Sequence, residues 1–513
     1  MNHGFPWVSV LGAIPLLGLL GVAALPSGRD EDAKRVALGA SLITLVASIV
    51  MAAQFSTTGK RFQFTQDYDW IKTFGAHYAV GVDGIALVLI LMTTVLTPVI
   101  VLASWHEAAE GSRSVKTFFA LLLATETIVI GVFGSLDVFL FYVLFEAMLI
   151  PIYFLIGSYG GARRSYAAVK FLLYSLAGGL LMLVAVIALY FAGKHTFDYR
   201  SLVAGDLHLS HGEQVALFLG FFIAFAIKAP LWPFHTWLPD AAAEAPTGVA
   251  VMLVGVLDKV GTFGFLRFCL PLFPYAARTL APYVLGLCVA GILYGALLAI
   301  GQRDMKRLVA YSSVSHFGFI ALGVFAFTSQ GGSGATLYMV NHAFSTGALF
   351  LVVGFLASRR GSRVIDDFGG AAKVAPWLGA MVLLAGLSAL SLPGLSTFVS
   401  EFLVLVGTFT THRWFAVVAT FGIVLAAVYA LWLVQRTIHG PVREGVQGFR
   451  DLGAREAWVI APVMAVIVVL GIYPKPILDA INPAVKSTIA PVRAHDPAPT
   501  VSTNGPLLIA RNK

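Results

Sequence analysis

Apolar runs of membrane-crossing length recur along the whole chain, separated by short polar stretches that collect arginine, glycine and proline. A helix needs about 20 mostly apolar residues to cross the hydrocarbon core of a bilayer. On that measure the pattern predicts spans over 8–25, 36–54, 82–103, 117–134, 137–157, 168–191, 215–238, 247–269, 280–300, 308–328, 335–357, 376–408, 414–435 and 457–473. The expected fold class is therefore all-α: a polytopic membrane protein of about fourteen transmembrane helices.

Two of these runs carry breakers in their interior. One reads KAPLWPFHTWLP over 228–239, with Pro230 and Pro233, and the other reads LPGLSTF over 392–398, with Pro393 and Gly394. Proline removes a backbone donor and clashes with the preceding turn, and in lipid the freed groups have to be satisfied again by protein or water. Paired interrupted helices point to an ion path in a repeat-built transporter. The spacing agrees: Pro233 lies 116 residues after Thr117, where the fourth span begins, and Pro393 lies 113 residues after Leu280, where the ninth begins. Five spans from each start then carry the break in their fourth member, and an odd number of spans inverts the second unit. The expected organisation is three leading spans over 1–116, a first five-helix repeat over 117–269, a second over 280–435, and a last span with its tail over 457–513. Prolines 476, 483, 491, 497 and 499 interrupt that tail, which is expected to lie against the outer surface or a partner.

Composition supports a bilayer. Hydrophobic residues make up 58% of the chain, charged residues 12%, and the mean hydropathy is +0.85, whereas a soluble domain carries about 25% charged residues. The net charge of +8 does not indicate nucleic acid, because the basic excess lies in loops. Odd-numbered loops carry eighteen Lys and Arg, even-numbered loops eight. By the positive-inside bias, the odd loops are expected in the cytoplasm and both termini on the opposite, periplasmic side. No Lys or Arg precedes Arg29, so 8–25 lacks the basic start of a signal peptide and is expected to be a retained helix. The two cysteines, Cys269 and Cys288, are too few for an iron–sulfur cluster, which takes four ligands. No Gly-rich dinucleotide fingerprint follows a strand. The chain is expected to hold no redox cofactor and no metal.

Intramembrane ionisable side chains are costly and mark function by default. Here they are Glu126 and Glu146 in the fourth and fifth spans, Lys228 just before the first break and His235 just after it, Lys259 in the eighth span, His316 and His342 in the tenth and eleventh, and Glu401 after the second break. Each has a bland alternative. A buried Glu–Lys pair can be a clamp and nothing more, a histidine in a bundle can be a hydrogen-bonded core residue, Glu126 stands between Thr125 and Thr127, and His235 can satisfy backbone at the turn. As a set they suit proton transfer. Burial weakens a lysine's hold on its proton and a nearby carboxylate restores it, so moving a carboxylate such as Glu146 against a lysine such as Lys228 is a switch. Histidine titrates near neutrality and suits the middle of a relay.

At these residues the chain resembles the antiporter-like subunits of respiratory complex I, which are related to the large subunits of multisubunit cation/proton antiporters. The resemblance covers nearly the whole chain. It is carried by LFEAMLIPIYFLIG over 144–157, KAPLWPFHTWLPDAAAEAPTGVAVML over 228–253, GQRDMKRLVAYSSVSHFG over 301–318, NHAF over 341–344 and LPGLSTFVSEF over 392–402. It implies a proton-translocating subunit of NADH:quinone oxidoreductase, with Glu146 as the essential fifth-span glutamate, Lys228 as its partner, Lys259 as the central lysine, His316 as a relay histidine with His342 behind it, and Glu401 as the exchange residue toward the outer side. Glutamate at 401 and a short proline-rich tail resemble the subunit M type, equivalent to mitochondrial subunit 4. FMN, iron–sulfur clusters and quinone are then expected in other subunits, with neighbouring antiporter-like subunits as partners, in a bacterial inner membrane rather than a mitochondrial one. One departure is Asp258, where the family usually has an apolar residue. Adjacent helix residues point about 100° apart, so Asp258 need not meet the path; if it approaches Lys259, it holds that lysine charged. The rival readings are a subunit of a multisubunit cation/proton antiporter or of a hydrogenase-linked pump, and a purely structural membrane-arm subunit indifferent to Glu146→Ala.

Overall fold

The computed structural model describes residues 5–107 and 113–493. Thirteen of its helices are long and apolar enough to cross a membrane. They are α1 Trp7–Ala24, α2 Asp30–Gln54, α3 Gly84–Ala103, α4 Val115–Gly134, the pair α5 Val138–Ala147 and α6 Leu149–Tyr159 that meet at Met148, α7 Arg164–Ala192, α8 His211–Lys228, then, beyond the short helix α9 Trp237–Glu244, α10 Thr247–Leu272, α11 Pro274–Ile300, α12 Met305–Phe325, α13 Ser329–Arg360, and, beyond α14 and α15, α16 Arg413–Ile438 and α17 Ala454–Ile472. The segment predicted over 376–408 is occupied by two shorter apolar helices, α14 Pro376–Ala389 and α15 Ser396–Thr411.

Caps explain where many of these helices begin. Asp83, Ser114, Asp137, Asp304 and Thr328 each accept a first-turn backbone N–H of α3, α4, α5, α12 and α13, and Ser210 with Glu213 forms a capping box on α8. Such oxygens satisfy donors that a helix start leaves open. At the other end of α13, Gly361 takes the left-handed conformation (φ 69°) that closes the helix after Arg359 and Arg360.

The two faces of the bundle differ. One, here the basic face, carries the loops after α1, α6, α9, α11, α13 and α16. Arg359 bonds both oxygens of Glu456 there, at 2.7 and 2.5 Å. Asp240 joins Lys170 of α7 to Arg307 of α12, at 2.8 and 2.7 Å. The other, the hairpin face, carries a two-stranded antiparallel ribbon, β1 Gln63–Ile71 with β2 Ala76–Val82. The all-α class holds, but the span pattern did not predict this ribbon, whose polar residues alternate too weakly to stand out between two strong apolar runs. Buried Asp83 pairs there with Arg267 at 2.9 Å, fixing the end of the ribbon to the end of α10.

The described part of the tail packs against the bundle. Residues 475–489 form one amphipathic helix, α18 Lys475–Ile489. Pro476 falls in the first turn, where a missing N–H costs nothing, and burial of Ile481, Ala484, Val485 and Ile489 holds the helix despite Pro483. It lies on the hairpin face against α3 and α13, with Arg61 donating to Ser487 and Thr488. Contact is closest at Gly84, where a β-carbon would fall 1.8 Å from the carbonyl of Ala480. Positions 494–513 of the predicted tail, with Pro497 and Pro499, lie outside the described residues.

Candidate functional site: a row of buried ionisable groups

The first break places Lys228. Pro230 has no N–H to give Ala226, and the N–H of Leu231 takes that carbonyl instead, at 2.9 Å. The indole N–H of Trp237 bonds the carbonyl of Ile227 at 2.8 Å. A tryptophan beyond the break thus satisfies backbone that the prolines released. Lys228 is the last residue of α8, where the negative end of the helix dipole favours a cation. Its side chain is 1% exposed, and its Nζ sits 4.9 Å from the ring centre of Phe145 and 5.6 Å from that of Phe171, with no hydrogen-bond acceptor. His235, inside the break, is buried on the basic side of Lys228, edge-on to Tyr294 and in the field of Lys170.

Glu146 stands near the end of α5. Pro151, one turn into α6, has no N–H to give Ala147, and the helix is interrupted at Met148. The carboxylate faces α7, where a β-carbon on Gly179 would lie 1.6 Å from Oε1. Glu146 and Lys228 are electrostatic neighbours, but they are not joined by a hydrogen bond: Oε1 and Nζ are both buried and unpartnered.

The eighth span, α10, departs from a regular helix. It takes π turns over Leu253–Leu257 and Phe265–Cys269, a widening often found at functional sites. Immediately after the first π turn come Asp258 and Lys259, both wholly buried. Lys259 reaches back to the carbonyl of Val254 at 2.5 Å and across to Nδ1 of His342 at 2.7 Å, with Phe317 5.0 Å beneath the ammonium. Asp258 lies within electrostatic reach of both lysines, and neither of its oxygens has a hydrogen-bond partner.

From His342 the row runs on through α12 and α13. The rings of His342 and His316 meet edge to face at 5.3 Å, and Nε2 of His316 shares a hydrogen bond of 3.1 Å with the hydroxyl of Tyr429. Tyr338, one turn before His342 on α13, donates to Glu401 at 3.1 Å. The second break places the other donor. Ser391 and Gly394 take positive φ values of 59° and 94°, and the Ser391 hydroxyl donates to Glu401. Pro393 lies in the same turn, and Asn341 bonds the carbonyl of Ser396 at 2.5 Å, tying α15's start to α13. Tyr429, Tyr338 and Ser391 were not singled out from sequence. Tyr338 could have been, since it is four residues from His342 on one helix face; Tyr429 and Ser391 carry no such signal.

Glu126 is not part of this row. It is buried in α4 beside Thr97 of α3, with both oxygens unpartnered. Phe141, Phe221, Phe225 and Phe268 form a buried aromatic cluster, with ring centres 4.5–6.1 Å apart. Among the described residues, no group of three or more His, Cys, Asp or Glu is arranged to hold a metal ion.

A bundle of this size with two interrupted helices and a buried row of acids, lysines and histidines defines a membrane ion-translocating protein. Over residues 135–426 the chain matches the family described as NADH:quinone oxidoreductase/Mrp antiporter, TM. NADH-quinone oxidoreductase subunit M of Mycobacterium tuberculosis is 51% identical over 98% of this chain and 97% of its own length. A chain of respiratory complex I from Thermus thermophilus superposes with a TM-score of 0.87 at 31% identity, over 95% of this chain and all of that one. A chain of the Mrp complex from Dietzia sp. superposes at 0.82 and 21% identity, over 95% and 98%, which shows the common fold alone. The chain belongs to the antiporter-like subunit M family of NADH-quinone oxidoreductases.

Proposed function

We infer that this chain is a proton-translocating membrane-arm subunit of an NADH:quinone oxidoreductase. Quinone reduction elsewhere in the assembly changes the distance between Glu146 and Lys228. With the carboxylate near, Lys228 keeps its proton; with it withdrawn, the proton leaves toward Lys259. Lys259 passes a proton to His342, the histidine to which it is bonded, and His316 with Tyr429 carries it on. Glu401, held by Tyr338 and Ser391, exchanges it with the hairpin face. His235 lies on the uptake side of Lys228, and Glu126 stays outside the route.

The observation that carries this reading is the hydrogen bond from Lys259 to His342. It joins the half of the molecule containing Glu146 and Lys228 to the half containing His316 and Glu401. The same halves, 117–269 and 280–435, act as inverted repeats, each broken in its fourth crossing, with 1–116 and 457–513 flanking them. The fold and the family fit assembly with neighbouring antiporter-like subunits and a bacterial inner membrane. The arginine-rich loops then face the cytoplasm, and both termini the periplasm. FMN, iron–sulfur clusters and quinone reside in other subunits.

The test is Glu146→Gln in the assembled complex, assayed in inverted membrane vesicles for NADH oxidation and for dye-detected proton uptake. Loss of proton uptake per NADH with the complex intact is expected. Normal uptake would overturn the switch, and a particle exchanging cations for protons without NADH oxidation would move the chain to the antiporter reading.

A further inference from the structure

Among the described residues, Asp258 is the one buried acid within electrostatic reach of two buried lysines. It lies on the face of α10 that meets the end of α8. Three residues on, a β-carbon at Gly261 would fall 2.5 Å from the backbone N of Ala229, the residue after Lys228, and Gly264 stacks against the ring of Phe225. These glycines bring the two helices into backbone contact, and Asp258 enters the same interface one turn away. The ionisable groups that face it are Lys228 from α8 and Lys259 from its own helix.

A carboxylate kept for structure is normally hydrogen-bonded, because a buried polar group without partners is costly. Asp258 has two buried oxygens and no donor on either. The buried Asp83 on the hairpin face is the contrast: it is paired with Arg267 and caps α3. Lys259 turns its ammonium to Val254 and His342, away from its own neighbour, and Lys228 has no acceptor at all. Asp258 therefore sits between one lysine with a free ammonium and another already committed to the next carrier.

We propose that Asp258 is itself a proton carrier, set between Lys228 and Lys259, so that protons cross from the first half of the chain to the second as a neutral carboxylic acid. This rests on the function proposed above. In the first step an N–H bond of the Lys228 ammonium breaks and an O–H bond forms on Asp258, leaving a neutral amine and a neutral acid. Lys259 meanwhile gives its proton to Nδ1 of His342. In the second step the O–H of Asp258 breaks and an N–H forms on the neutral Lys259 amine, restoring carboxylate and ammonium. In the first step the Lys228 ammonium moves its proton onto an adjacent carboxylate, so charge is neutralised rather than carried through the apolar interior, which lowers the cost of that transfer.

The test compares Asp258→Asn and Asp258→Glu in the assembled complex in inverted vesicles, with Glu146→Gln as reference. Asp258→Asn keeps the shape and removes the exchangeable proton. It should lower proton uptake per NADH about tenfold or more and alter its pH profile, and Asp258→Glu should restore much of both. Uptake and pH profile like the parent in Asp258→Asn, where Glu146→Gln is inactive, would overturn this inference alone. Full uptake in Glu146→Gln would instead overturn the function it rests on. Infrared difference spectra of the unmutated complex, with aspartate isotopically labelled, give a readout independent of how the variants fold: a labelled carboxylic-acid band that responds to turnover is expected, and its absence overturns the proposal.

Discussion

The ammonium of Lys259 donates to Nδ1 of His342 across 2.7 Å. In the function proposed above, this bond makes His342, rather than His316, the first proton acceptor beyond Lys259. With Lys259 protonated, Nδ1 accepts and the ring proton sits on Nε2.

His342→Ala removes that acceptor and leaves Lys259 with a single carbonyl. Proton uptake per NADH in vesicles should fall by about tenfold or more, with the complex still assembled on native gels. Full uptake would show that protons bypass His342.

Gly179 gives a prediction about the switch that leaves its charges untouched. A methyl group there would collide with Oε1 of Glu146, so Gly179→Ala has to turn the carboxylate aside. Gly286, in α11, has open space around its missing β-carbon and supplies the control. Gly179→Ala should uncouple NADH oxidation from proton uptake and Gly286→Ala should not; equal behaviour would mean that the position of Glu146 does not matter.

Trp237→Phe tests how the first break is held. The ring remains but the N–H to Ile227 is lost, leaving a buried carbonyl unsatisfied at about 1–3 kcal/mol. The thermal midpoint of the detergent-solubilised complex should drop, and an unchanged midpoint would show that another donor reaches Ile227.

Asp240 gives a pH dependence. Burial raises its carboxyl, but the contacts with Lys170 and Arg307 outweigh burial and hold it below the usual carboxylate range. A depressed folded pKa contributes stability above the unfolded value of about 3.9 and loses it as pH falls through the folded one. Asp240→Asn should therefore cost about 1–3 kcal/mol with little change between about pH 7 and about pH 5. A cost that already shrinks across that interval would contradict the sign.

Much of this was legible in the sequence because lipid imposes simple demands. Apolar runs and prolines marked the spans and both breaks, and an ionisable residue in such a run is conspicuous. Contacts between spans were not legible. The pattern gave no reason to prefer His342 over His316 as the partner of Lys259, and it left Asp258 pointing in an unknown direction, because the π turn over Leu253–Leu257 sets where both residues of that pair face. That the tail folds into one amphipathic helix across Pro483 was not legible, because burial of one face decides it, and the ribbon was not legible because strand alternation is faint beside long apolar runs.

The depth at which the buried row sits in its helices has an electrical consequence. Glu146, Lys259, His316 and His342 each lie close to the middle of their spans, so the row runs along the plane of the membrane. In the function proposed above, a proton passing along this row travels sideways, across the field rather than along it. Each elementary charge moved fully across the membrane works against about 2.3 kcal/mol per 100 mV. Sideways steps leave that work almost untouched, and it falls on two events: climbing from the basic face to Lys228, and leaving from Glu401. Membrane voltage should therefore act as a brake at the two ends of the route while the carriers between them turn over at a rate indifferent to it.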